Sequence, residues 1–107
     1  MTEKDTFVTM IGFAKRAGKI VYGYDSLVKA RGVKLLAVSD TASDNLRSDM
    51  DALADKKGLP VVYADGLEET VGKNVKALGL TDAGMVKAVI GFVTDSAKYK
   101  IRYGSRR

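Results

Sequence analysis

Lys19 to Lys29, reading K-I-V-Y-G-Y-D-S-L-V-K, is the stretch whose residue types and spacing could do the most chemistry. The β-branched and aromatic run Ile20, Val21 and Tyr22 stops at Gly23. A helix is expected to start at once, with Asp25 or Ser26 as its cap and Lys29 one turn in. Glycine lets the backbone turn sharply there and leaves the first helical N–H groups facing outward, where an anion or an RNA base edge could meet them. The plainer alternative is a strand-to-helix turn that only connects.

Other chemistries are thinly supplied. The chain has no cysteine and no histidine, which removes thiol nucleophiles, disulfides, imidazole or thiolate zinc sites and every His-based catalytic arrangement. Gly12 to Ile20, G-F-A-K-R-A-G-K-I, resembles a phosphate-binding loop. Its spacer is one residue too long, no Ser or Thr follows Lys19, and a helical pattern precedes it where a strand is required. Asp40 at a strand end and Asp65 in a loop form an imaginable metal or phospho-acceptor pair, but no paired motif surrounds them. No catalytic residue, metal or cofactor is assigned.

These residues must be held by a chain of 107 residues, enough for one domain that removes about two-thirds of its unfolded surface from water. Hydrophobic residues make up 46% and charged residues 29%, so a folded core is expected. The net charge of +5 makes an anionic partner plausible without separating RNA from DNA or from an acidic protein. With no disulfide and no apolar run of spanning length, the expected location is the cytoplasm, with no membrane contact.

Apolar spacing supplies the frame. Phe7, Met10, Ile11 and Ala14 paint one face of a helix over 2–17, with Thr2 and Asp5 as a capping box and Lys15 and Arg16 in its last turn. Those two cations either serve the helix dipole or extend a basic surface towards Gly23. A helix of about two turns over 26–31 ends at Gly32. Val33 to Val38 reads as a strand covered on both faces. Leu46, Met50, Leu53 and Ala54 share one face of a helix over 43–57, which Gly58 and Pro60 end. Residues 60–64 make a strand, 67–71 a brief helix, and 75–81 a fourth strand. Asp82 caps a last helix whose inward stripe is Met85, Val86, Val89, Ile90 and Val93. The end, K-Y-K-I-R-Y-G-S-R-R, alternates basic with apolar residues. It reads as an edge strand or a basic arm, and the arm is favoured. The expected fold is therefore α/β, a three-layer α/β/α sandwich with a four-stranded mixed sheet over 1–97 and a basic tail over 98–107.

Taken together, several motifs in a fixed order resemble the kink-turn RNA-binding family of ribosomal proteins, the L-seven-Ae and L-thirty-e group, in its small bacterial branch. They are G-F-A-K-R-A-G-K-I-V-Y-G, K-L-L-A-V-S-D, V-G-K near residue 72 and T-D-A-G at the last helix, spanning roughly residues 7 to 95. The resemblance implies an α/β/α sandwich that binds the sheared G·A pairs of a sharply bent RNA. It also implies a Gly-x-Asn-Glu-x-x-Lys pattern after the first strand. Gly23 and Lys29 match it, Tyr24 fills the free position, and Asp25 and Ser26 stand where the family often has Asn and Glu. Ionised Asp only accepts hydrogen bonds and adds negative charge near phosphates, whereas Asn both donates and accepts. A second family contact falls on Lys73, Asn74 and Val75.

The expectation is a non-enzymatic, monomeric RNA-binding protein, ribosomal or otherwise ribonucleoprotein-associated. Asp25 and Ser26 would read base edges or a sugar hydroxyl, and Lys19, Lys29 and Lys73 would meet the backbone. The rival is a protein-assembly module that docks through the acidic residues Asp44, Asp49, Asp51 and Asp55, or through the basic tail.

Overall fold

Asp5 accepts the Val8 N–H on its Oδ1 at 3.2 Å, and helix α1 (Thr6–Ala17) begins behind it. The computed structural model describes residues 5–104, so the Thr2 half of the expected capping box lies outside the described residues. Phe7, Ile11 and Ala14 are the buried stripe of α1, and Gly18 closes it in a left-handed cap. The chain continues through β1 (Ile20–Tyr22), α2 (Tyr24–Lys29), β2 (Leu35–Ser39), α3 (Asp44–Lys57) and β3 (Pro60–Ala64). It ends through α4 (Leu67–Val71), β4 (Ala77–Leu80), α5 (Ala83–Thr94) and β5 (Lys100–Tyr103).

Caps account for most boundaries. Ser43 accepts the Leu46 N–H and Asp82 the Met85 N–H, each satisfying one orphan donor of the helix behind it. Helix α2 differs from expectation: Gly23, not Asp25 or Ser26, is its N-cap, and no side chain caps it. It stops at Lys29 because Ala30 is already extended, so the turn expected as far as Arg31 is not made.

The described residues form a mixed α/β fold around a five-stranded sheet of order β1-β4-β2-β3-β5. Only β2 and β3 run parallel; β1, β4 and β5 each lie antiparallel to their neighbours. Strand residues alternate between two buried clusters. Leu35, Ala37, Val62, Leu78 and Leu80 join Phe7, Leu67, Val71 and Val89 from α1, α4 and α5. Leu36, Val38, Val61 and Ala77 join Leu27, Met50 and Leu53 from α2 and α3. This two-sided burial is why β2 reads as an unbroken apolar run.

The four-stranded expectation is corrected, because Lys100–Tyr103 pairs along β3 and is not an arm. Tyr99 is the reason. Its ring is 4% exposed and lies 4.8 Å from Phe7 and 6.0 Å from Phe92, while its hydroxyl donates to Asp5. Aromatic packing of this kind contributes about 0.5–1.5 kcal/mol per pair beyond area burial. On the other face, Arg102 makes two hydrogen bonds to Asp55 of α3, at 2.9 and 3.0 Å. The alternation of basic and apolar residues is thus an edge-strand signature, with charges that discourage further pairing.

Candidate nucleic-acid interface

Gly23 turns the chain from β1 into α2 at φ 86° and ψ 151°, a region that L side chains rarely occupy. Its N–H donates to the Ala77 carbonyl at 3.0 Å, and its own carbonyl accepts the Leu27 N–H at 3.0 Å. Leu27 is fully buried and seats α2 on the sheet at Gly79, where a Cβ would stand 2.6 Å from Leu27 Cδ2 and 2.8 Å from Val33 Cγ1. The absence of a side chain at one strand position therefore sets how closely α2 approaches. With α2 held there, Asp25, Ser26 and Lys29 are exposed, while Tyr24 is half-buried against the cluster beneath.

The second loop arrives at the same place. Helix α4 ends in a left-handed Gly72, whose N–H donates to the Glu68 carbonyl at 2.9 Å. Lys73 then lies with its ammonium 4.3 Å from the Tyr22 ring centroid, a cation–π contact directly before Gly23. The Val75 N–H bonds the Lys73 carbonyl at 2.8 Å. Val75 is half-buried against the cluster of α1, α4 and α5, leaving Lys73 and Asn74 exposed. The Gly23 corner and the Lys73–Val75 loop are thus neighbours, although some fifty residues separate them in the chain.

Two expected members stand apart. Lys19 precedes β1, where its carbonyl accepts from Thr81 beyond the far end of β4, so it lies at the opposite end of the strand from Gly23. Four strand residues span about 13 Å. Lys29 occupies the last position of α2, about 9 Å along the axis from Gly23.

The sequence reading missed Tyr22, Lys76 and Glu68 at this end of the sheet and left the role of Lys15 open. Tyr22, counted only as a strand residue, is the platform under Lys73. Lys15 donates to the Val71 carbonyl at 2.7 Å, which gives this cation the loop-facing role. Lys76 reaches towards the Thr41 carbonyl at 3.5 Å; it was hidden inside a strand expected to begin at Val75. Glu68 accepts from the Ser39 and Thr41 hydroxyls, and those bonds hold its carboxyl below the usual range. A hydroxyl pair at the end of an apolar strand, S-D-T, was the available signal. Asp40 and Asp65 follow the paired ends of β2 and β3, where a hydrogen bond from one carboxyl to the other pushes Asp65 up. Among the described residues, no group of three or more acidic, His or Cys side chains is arranged to hold a metal.

The acidic run of α3 is partly consumed internally. Asp51 accepts from the Tyr63 hydroxyl and Asp55 pairs with Arg102, whereas Asp44 and Asp49 are exposed. Burial and the Asp51 bond push Tyr63 up to about 12. In the basic tail, residues 105–107 lie outside the described residues. No helix among the described residues is long and apolar enough to cross a membrane.

A scan against protein-family models finds no match, and a search of curated proteins finds none either. Among solved structures, the chain is similar to a protein of unknown function from Bacillus halodurans C, with a TM-score of 0.78 and 21% identity. The match covers 86% of this chain and 100% of that one, and at such identity it speaks to fold alone.

Proposed function

We propose that this chain is a non-enzymatic, monomeric RNA-binding protein of the cytoplasm, an α/β/α sandwich of the kink-turn family that recognises sharply bent RNA within a ribonucleoprotein. The observation that carries the reading is the meeting of two loops at Tyr22, where Lys73 lies 4.3 Å over the ring and the Gly23 N–H holds Ala77. Asp25, Ser26 and Asn74 are exposed on the two chain segments that meet there and can accept or donate at unstacked bases, while Lys73, Lys15 and Lys76 supply cations at this end of the sheet. Recognition of this sort reads shape and splayed bases, so sequence preference concentrates at the bend. Lys29 meets the backbone further along α2, and Lys19 contributes only to a longer RNA, given its place at the other end of β1. Asp25 adds charge repulsion near phosphates, which favours a ligand whose backbone turns away from the start of α2.

Titrating a fluorescent kink-turn hairpin and a straight duplex of equal length tests the reading. The hairpin is expected to bind at least about tenfold tighter, a difference of about 1.4 kcal/mol. Release of counterions from about four phosphates gives a log–log salt slope near about −3. Equal, weak binding to both RNAs would exclude bend recognition. The acidic-docking rival is less supported, since Asp51 and Asp55 already hold Tyr63 and Arg102.

A further inference from the structure

We propose that the groove between the C-terminal ends of α2 and α3 is a docking site for an acidic amphipathic segment of a partner protein. The open groove has a volume of about 430 Å³, within the range of clefts that hold ligands. Val33 and Leu53 form its buried base, and Val28, Ala30 and Leu59 keep apolar surface open above them. Val28 is one of few large apolar side chains left open to solvent, at 41%. Arg31, Lys56 and Lys57 rim this apolar surface, and no acidic residue among the described ones lines it. Lys57 is anchored: its Nζ donates to the Ala30 carbonyl at 3.1 Å and ties the end of α3 to the end of α2. Arg31 and Lys56 make no ion pair or hydrogen bond through their side chains with any other described residue.

An apolar floor inside a ring of cations has one complementary form, apolar side chains flanked by carboxylates. An amphipathic helix laid into the groove supplies both from a single face. Nucleic acid is the poorer match: among the described residues no aromatic side chain lines the groove for bases to stack on, and a phosphate backbone leaves Val28 and Leu59 without an apolar partner. The groove also lies away from the Gly23 corner. It opens where β2 and β3 begin, whereas Gly23, Lys76 and Asp40 stand where β1 and β2 end and β4 begins. One face can thus carry a protein while the other carries a different ligand, and the proposal holds whether or not the corner binds RNA.

The test is a fluorescence anisotropy titration of the full chain with a fluorescein-labelled peptide of Glu and Leu, its leucines at helical spacing. A control peptide has Ser for every Leu, and an oligouridine is the nucleic-acid competitor. Saturable binding is expected. It should weaken about tenfold or more for Val28→Asp, for the pair Arg31→Glu with Lys56→Glu, and for the leucine-free peptide, and stay unchanged for Lys73→Glu. All three substituted groove positions are exposed, so thermal melting should not change, and the two variants report separately on floor and rim. Equal binding of the leucine-free peptide, indifference to both variants, or displacement of the peptide by oligouridine would overturn the proposal.

Discussion

The two ends of the sheet hold their cations in different ways. At the corner, Lys73 lies over Tyr22, Lys15 is tied to the Val71 carbonyl and Lys76 reaches towards Thr41. At the groove only Lys57 is anchored, while Arg31 and Lys56 stand in solvent around an apolar floor. A lysine already placed by a ring or carbonyl loses less rotamer freedom when it meets a ligand, which suits recognition of one fixed shape. Untethered cations around apolar surface adapt to a partner whose register can vary. Helix α2 joins the two regions, with Gly23 at its start and Ala30 at its end.

The strongest way to break the contrast is to move that shared helix. Gly79→Ala drives a methyl against Leu27 and Val33 and is expected to cost about 2–3 kcal/mol, read as a lower urea midpoint with unchanged slope. It should weaken RNA at one end and the acidic peptide at the other. Gly23→Ala meets no neighbouring atom, but its φ of +86° strains any side chain, at about 1–2 kcal/mol. Here RNA binding alone should fall, and equal loss at the groove would mean that the two ends are not separable. Lys29→Glu should weaken bent RNA about tenfold without changing the melting temperature; no change would reduce the corner to a connecting turn. Tyr22→Leu removes the platform under Lys73, worth about 0.5–1 kcal/mol, and should lower RNA affinity severalfold while leaving the peptide untouched.

Acid sharpens the same contrast. Hydrogen bonds from Ser39 and Thr41 hold Glu68 below its ordinary 4.5, so the order they give the corner is complete above that value and is lost as pH falls through the depressed one. Asp5 behaves alike: burial raises it, but bonds from Tyr99, the Val8 N–H and Lys98 outweigh that and hold it down. As pH falls below about 4.5, the protection of the Thr41 amide, measured relative to its intrinsic exchange rate, should drop before that of Leu59 at the groove, whose N–H donates to the Ala54 carbonyl at 2.9 Å. Simultaneous loss would indicate global unfolding.

Helix stripes, caps and glycine stops were legible because they are local: Phe7, Ile11 and Ala14, the Ser43 and Asp82 caps and Gly58 all act within a turn or two of themselves. The cap of α2 was misread because Asp25 and Ser26 have the right chemistry, yet the unusual backbone angles at Gly23 start the helix one residue before Asp25. The last strand was misread for a different reason. Tyr99 and Ile101 alternate with cations in a way that suits either an arm or an edge, and only Phe7 and strand β3, far away in the chain, decide for the edge.

By itself the sequence determined the kinds and order of the elements as far as α5, the basic balance and the turn at Gly23, since periodicity, turn chemistry and charge need no distant partner. Tertiary structure alone decided that Lys73 meets Tyr22, that Lys19 stands at the other end of the strand, and that Arg31 and Lys56 surround an apolar floor. Those pairings follow from strand order and from the close approach of α2 at Gly79, and both depend on contacts between residues that no local pattern links.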